Sequence, residues 1–401
     1  MMIPKYVSEF RCLGSECPDS CCANWTLSID KGTFAHYRRV VHPAIKPLMK
    51  NYLVRDQNNI SSFHLYGQLK LRESDDHCPM HSDDKLCSIQ QNLGEGSLSD
   101  TCFMYPRTVT KFGDRIEQSL TLSCPEAARL ALTGDDSFEF VTAHLPVRIT
   151  SIANLRAKSG FSMEAIDAIR TFAIQLFQTP ELTNVDCLVA LGWLCHQLDG
   201  ASSRGEHSET SSLLSEMTEL VETGGLSPLV RQLDAQPSIG VTVFYMLFKN
   251  QREVKRPPQQ QEIVEWVLQG LGLNTKANAD LLVVETCYQR GMEFLQMDPI
   301  GHEKVLRRYL LNDLIRETFP WGQPSAMLSY RRLLTRFGIL RLMLCGIAAD
   351  KGQPLDQETY VRTVQTFCRM YQHNEVFAKA AELCLQDLEW HSLERLYALL
   401  K

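Results

Sequence analysis

No surplus of positive charge marks this 401-residue chain: 41 Lys and Arg face 47 Asp and Glu, a formal net charge of -6. That balance argues against a nucleic-acid scaffold, and no acidic block suggests a disordered tail. Nor does any stretch approach the roughly 18 apolar residues of a membrane span. The opening MMIPKYVSEFRC has neither the basic flank nor the apolar run of a signal peptide. The expectation is a cytoplasmic protein with no transmembrane segment and no nucleic-acid partner. Signature loops are missing too. Gly270-Leu-Gly272 follows a helical pattern rather than a strand, so it reads as a helix terminus with Gly272 as the residue past the end. Gly224-Gly225 reads the same way. There is no P-loop, no Gly-x-Ser-x-Gly elbow, no His-Glu-x-x-His and no repeat of fixed period. A doubly wound cofactor fold is therefore not visible. Oligomeric state is not legible in the sequence.

Cysteine, by contrast, is abundant and uneven. Eight of the 14 fall within the first 124 residues: Cys12, Cys17, Cys21, Cys22, Cys78, Cys87, Cys102 and Cys124. In a reducing compartment clustered cysteines serve as metal ligands more often than as disulfides. Thiolates bind soft metals, and the spacings Cys12-x4-Cys17-x3-Cys21-Cys22 and Cys78-x8-Cys87 let one loop offer several sulfurs. The adjacent pair Cys21-Cys22, if extended, would face opposite ways and serve different centres. Eight thiols supply two four-ligand sites, or one cluster with spare thiols. Zinc and iron–sulfur both remain open at this point. His77 and His81 flank Cys78 and could replace a sulfur, or lie in the loop as ordinary exposed residues. The other six, Cys187, Cys195, Cys287, Cys345, Cys368 and Cys384, read as small hydrophobes of the core.

The fold class read from the pattern is mainly α: a small irregular α+β cysteine module over 1–130, then a larger all-helical domain over 150–401. In the module, Trp25–Ile29 reads as a strand, and Asp30 as the N-cap of a helix to about Leu53. Phe63, Leu65, Leu69 and Leu71 alternate with polar residues as in a strand. Thr108–Ser123 reads as a hairpin turning at Gly113. Helical periodicity then predicts Met163–Gln178, Val185–Leu198, Ser211–Thr223, Pro228–Asn250, Glu262–Leu271, Ala277–Leu295, Glu303–Thr318, Ala326–Ala349, Asp356–His373 and Glu375–Leu400. Asp199–Ser208 and Arg252–Gln261 read as loops.

Phe10-Arg-Cys12-Leu-Gly-Ser-Glu-Cys17, Cys21-Cys22 with Trp25, Cys78-Pro-Met, Leu86-Cys87-Ser-Ile and Cys102-Phe-Met-Tyr-Pro106 resemble the bacterial cysteine-cluster proteins that chelate zinc or iron. Among these the likeness is to the flagellin lysine N-methylase family. Tyr309-Leu-Leu-Asn312 through Phe319-Pro320 resembles that family's C-terminal pattern. The resemblance implies a protein-lysine N-methyltransferase that uses S-adenosylmethionine, acts on flagellin and requires a [4Fe–4S] cluster carried by the eight cysteines. One departure stands out. Radical S-adenosylmethionine enzymes use Cys-x3-Cys-x2-Cys; Cys17 and Cys21 give the first spacing, but Asn24 occupies the next position.

Methyl transfer to lysine needs a neutral amine, and a free lysine with a pKa near ~10.4 is almost wholly protonated. Tyr105 and Tyr309, the tyrosines nearest the motifs, are candidates for the amine pocket, with packing as the alternative. Arg107 could meet an anionic cluster or the cofactor carboxylate, or lie on the surface. The rival to an enzyme is a noncatalytic adaptor, with a zinc module fixing a helical interaction domain.

Overall fold

The computed structural model describes residues 1–401 except 24–26, 58–61, 149–150, 156–159, 206–209, 235, 250–253, 255, 274–279, 299–300, 388 and 401. Two small sheets lie in the first 155 residues and helices dominate the rest, as the mainly α reading anticipates. Trp25, and with it the start of the expected first strand, lies outside the described residues.

The smaller sheet is antiparallel, with β2 (Leu27–Ile29) and β3 (Leu53–Arg55) on either side of β4 (Gly67–Leu69). Leu27, Ile29, Leu53 and Leu69 enter a small apolar core with Tyr37, Met49, Met80 and Ile89. The alternation over Phe63–Leu71 yields a strand only at its centre. Phe63 and Leu65 precede the ladder in a turn and are 51% and 43% exposed. Asp30 does cap a helix, its carboxylate accepting from the Thr33 N–H at 2.9 Å. That helix stops at Arg39, where Val40 turns extended, and a second one runs Lys46–Tyr52.

The larger sheet has the order β7-β1-β6-β5-β8, from β1 (Met2–Pro4), β5 (Arg107–Phe112), β6 (Arg115–Leu120), β7 (Phe140–Thr142) and β8 (Ile152–Leu155). β5 and β6 form the expected hairpin, with Gly113 at φ +57° in its turn. β1 lies parallel to β6 and β8 parallel to β5. Ile3, Phe112 and Leu120 of this sheet, with Tyr6 of the short N-terminal helix Lys5–Glu9, share one continuous core with the helices that follow.

That core is organised around the helix Ala326–Lys351, which is buried on nearly every face. The helices Asn184–Arg204, Pro237–Phe248, Pro258–Gly270 and Leu281–Gln296 pack on it. Two approach without room for a side chain. A Cβ on Gly270 would fall 1.7 Å from the Gly346 carbonyl oxygen, and one on Gly291 would fall 2.0 Å from that of Cys345. Asp199 caps the central helix, its oxygens accepting from the Ala326 and Met327 N–H groups at 2.9 Å each.

Several expected boundaries shift. The segment 199–208 is not a loop from its start: the preceding helix runs to Arg204 and ends at Gly205, φ +72°. Pro237 splits the expected Pro228–Asn250 helix into Leu226–Arg231 and Pro237–Phe248. Within 252–261, Pro258 opens a helix, since its missing N–H costs nothing in a first turn; 252–253 and 255 lie outside the described residues. Asp356–His373 becomes an α-helix to Phe367 followed by a π turn over Cys368–Gln372. Glu375–Leu400 divides into Glu375–Asp387 and Leu393–Ala398. Gly272, at φ +75°, does end its helix as expected.

The Gly291 contact is a direct test of this packing. Gly291→Ala is expected to lower stability by about 1–3 kcal/mol through overpacking against Cys345, measured by urea denaturation.

Candidate functional site

All fourteen cysteines are free thiols. Cys187, Cys195, Cys345 and Cys368 are buried as expected of core residues, whereas Cys287 and Cys384 are partly exposed on helix flanks. The eight N-terminal ones divide into two neighbouring groups.

The inner group meets at the small core: Cys78 is buried in it, and Cys22, Cys87 and Cys102 pack against it. Its scaffold is local. The Cys78 N–H donates to the Cys22 carbonyl at 2.6 Å, and His81 pairs with Cys87 in an isolated bridge. Ser99 caps the short helix Asp100–Met104, accepting from the Cys102 N–H at 3.3 Å. Burial pushes the Cys78 thiol up to about 12, with Cys102 and Cys87 adding repulsion. Burial likewise pushes Cys102 up to about 11, opposed by Ser99 and reinforced by Cys87 and Cys21.

Cys12, Cys17 and Cys124 make up the outer group, and Cys21 interacts with both groups. Cys124 is raised to about 12 by burial, with Cys17 and Cys21 contributing. The Cys17 thiol donates to the Asp19 carbonyl at 2.8 Å. Cys21 and Cys22 do not point apart. They sit in a turn rather than an extended strand, and their thiols hydrogen-bond to each other. That bond lowers Cys21 to about 7, against burial and with help from Arg369. Among the described residues, no three His, Cys, Asp or Glu side chains stand close enough together to hold a single metal ion.

His77 and His81 stack on each other, ring centroids 5.1 Å apart. His77 Nδ1 faces the Asp75 carbonyl at 2.8 Å, and His81 Nε2 lies 3.5 Å from the Ser20 hydroxyl. Arg107 donates to the Phe103 carbonyl at 3.3 Å and lies over the Phe10 ring. Burial lowers its pKa, while Glu95 and the nearby Cys12 and Cys124 oppose that shift. Arg107 thus stands beside the outer thiols rather than on open surface. Tyr309 is fully buried, edge-on to Phe367, and its hydroxyl has no hydrogen-bond partner among the described residues.

A polar seam joins these thiols to the helical domain. Asp19 accepts from Gln365 Nε2 at 2.7 Å and Gln260 Nε2 at 3.3 Å, and pairs with Arg369 at 3.2 Å. Arg369 also donates to the Ser20 carbonyl at 2.7 Å. Beside Cys124, the Tyr105 hydroxyl lies 3.1 Å from Ser123 Oγ, which lies 3.1 Å from His373 Nε2. Thr121 Oγ1 is also 3.1 Å from that nitrogen and donates to Gln372 Oε1 at 2.8 Å. Gln372 in turn donates to Asp313 at 3.3 Å. Asp313 is 1% exposed and takes two bonds, 2.8 and 2.9 Å, from Arg336. Burial works against the Arg336 charge, but Asp313 and Glu317 outweigh it. Tyr6 of the N-terminal helix bonds Asn312 directly. The Tyr309–Asn312 motif is therefore wired to the cysteine-bearing part of the chain.

Sequence reasoning did not find Asp19, Ser123, Gln365, Arg369, Asp313 or His373. The one local signal was position, since Asp19 and Ser123 each lie within two residues of a cysteine.

The family described as FliB lysine N-methylase C-terminal domain matches residues 170–399. The chain belongs to that family. It is similar to the lysine-N-methylase of Salmonella choleraesuis (strain SC-B67), 33% identical over 134 residues, which is 33% of each chain. The lysine-N-methylase of Salmonella typhimurium (strain LT2) is 32% identical over the same length and share. The flagellar biosynthetic protein FliU of Salmonella muenchen is 32% identical over 134 residues, covering 78% of that protein. The matched stretch thus spans about a third of the length of the two lysine-N-methylases. No solved structure matches. Among the described residues no helix is long and apolar enough to cross a membrane.

His373 gives this family member a pH signature. Desolvation of the imidazole, then Arg316, lowers its pKa to about 4, with Glu317 opposing and Arg369 adding to the shift. An unfolded histidine titrates near ~6.5. Between those values the unfolded chain binds the extra proton, so this contribution to stability is full above about pH 6.5 and is lost as pH falls toward 4. His373→Gln is expected to flatten the stability–pH slope in that window, measured by urea denaturation at stepped pH.

Proposed function

We propose that the protein is an S-adenosylmethionine-dependent protein-lysine N-methyltransferase that acts on flagellin in the cytoplasm and requires a [4Fe–4S] cluster. One observation carries the reading: eight thiols gather against a domain whose family is described as a lysine N-methylase. The flagellar name of the FliU relative supports flagellin as acceptor. The donor set suits the cluster in kind and number. Cys22, Cys78, Cys87 and Cys102 share contact with one small core, and Cys22 feels both Cys78 and Cys87. A cubane takes each thiolate on a different iron, so its ligands spread wider than those of a single ion. We assign the cluster to these four. Bound there, it would supply redox-active, Lewis-acidic iron.

In the transfer, the lone pair of the neutral amine forms a bond to the donor methyl carbon. The methyl–sulfur bond breaks with its electron pair left on sulfur, and one proton leaves the nitrogen. The products are methyl-lysine, S-adenosylhomocysteine and that proton. His373, held neutral, is linked to Tyr105 through Ser123, the residue before Cys124.

The test is mass spectrometry of flagellin incubated with the anaerobically purified protein and S-adenosylmethionine. Methyl-lysine is expected with the wild type and background levels with a folded Cys102→Ser variant. Stoichiometric zinc in the purified protein and no methyl-lysine would replace the enzyme with a noncatalytic zinc adaptor.

A further inference from the structure

A cleft of about 560 Å³ opens between the N-terminal part and the helices Pro258–Gly270 and Gln357–Phe367. Three stretches of the N-terminal part line it, at Leu13, at Pro18–Asp19 and at Pro125–Glu126. Each directly follows a cysteine of the outer group: Cys12, Cys17 and Cys124. A molecule seated in the cleft therefore lies against the loops that carry the outer thiols. Its opposite wall belongs to the family domain, so the cleft is complete only where the two parts meet.

The volume suits a whole small molecule rather than one side chain, and the lining carries both signs of charge. Glu358 lies in the first turn of its helix, exposed, with no side-chain partner among the described residues. Asp19 adds a second carboxylate, fixed by its bonds to Gln365 and Arg369. Arg129 is oriented by two bonds to Glu126, at 2.7 and 2.8 Å, and Arg362 by a bond to Glu262. A guanidinium has five N–H donors, so each arginine keeps donors for a further anion. The amides of Gln259 and Gln357 line the same space, with no side-chain partner among the described residues. The ligand this set fits is amphoteric: cationic and anionic at one end, with hydrogen-bonding edges along its length.

We propose that this cleft is the binding site of the sulfonium methyl donor, an assignment that rests on the methyltransferase reading above. Glu358 and Asp19 face its cationic ammonium and sulfonium groups, Arg129 and Arg362 take its carboxylate, and Gln259 and Gln357 read its polar edges. The donor methyl is thereby held beside the outer thiols, at the junction of the two parts.

The experiment is isothermal titration of the anaerobically purified full-length protein with S-adenosylmethionine and, separately, with S-adenosylhomocysteine. One molecule of each is expected to bind per chain. Val361 lines the cleft on its helix surface, and Val361→Trp is expected to weaken binding of both at least tenfold. Glu358→Gln, a change on an exposed side chain, is expected to weaken S-adenosylmethionine about tenfold. Val376, 80% exposed on another helix, serves as the Val376→Trp control and should bind like the wild type. Wild-type affinity in both cleft variants overturns the assignment, and flagellin methylation persisting beside it leaves the enzyme reading intact. A wild type that neither binds the donor nor methylates flagellin overturns both.

Discussion

Asp19 is the carboxylate on which the arrangement depends. It belongs to the loop that carries Cys17 and Cys21, yet its partners Gln260, Gln365 and Arg369 all come from the helical domain. Hydrogen bonds to a charged group contribute about 1.5–3 kcal/mol each when well formed. This side chain is only 11% exposed, so the contacts are largely shielded from water. The small core beside these thiols holds far fewer apolar side chains than the helical core. Fastening to a larger, rigid neighbour supplies what that core lacks.

The seam continues inward to a network of charged groups. Asp313 and Arg336 are nearly sealed from water, with Arg316, Glu317 and Gln372 around them. Such a pair contributes little net stability against a hydrophobic replacement, and here it is part of a larger network, since Arg336 also meets Glu317 at 3.2 Å and Asp313 also meets Arg316 at 3.4 Å. Gln372 and Thr121 tie Asp313 to Ser123 and to the neighbourhood of Cys124. Helix packing and the position of the outer thiols are thus set by one connected set of bonds.

Much of the fold was legible because its causes are local. Met163–Gln178 follows from a 3.6-residue apolar period with Ser162 as cap, and the β5–β6 hairpin from a glycine between two β-prone arms. The shifted boundaries have local causes too, in Pro237, Pro258 and the π turn after Phe367. The eight cysteines stood out by composition, but their division into two groups did not. Cys21 and Cys22 occupy a turn whose geometry a spacing rule for strands cannot supply. The seam was invisible for a different reason. Asp19 and Gln365 are 346 residues apart, and Ser123 and His373 are 250 apart. Pairings at such separations leave no periodic trace in one sequence.

The proposed chemistry draws on family membership, the gathered thiols and the cleft, and its proposed centre is the inner group of cysteines. The most direct measurement is iron and acid-labile sulfide per chain after strictly anaerobic purification, in the wild type and in folded Cys78→Ser and Cys12→Ser variants. The account predicts about four irons and four sulfides in the wild type, as a cubane requires. It predicts their loss in Cys78→Ser and their retention in Cys12→Ser. Zinc without sulfide, or a cluster that survives Cys78→Ser, would contradict it.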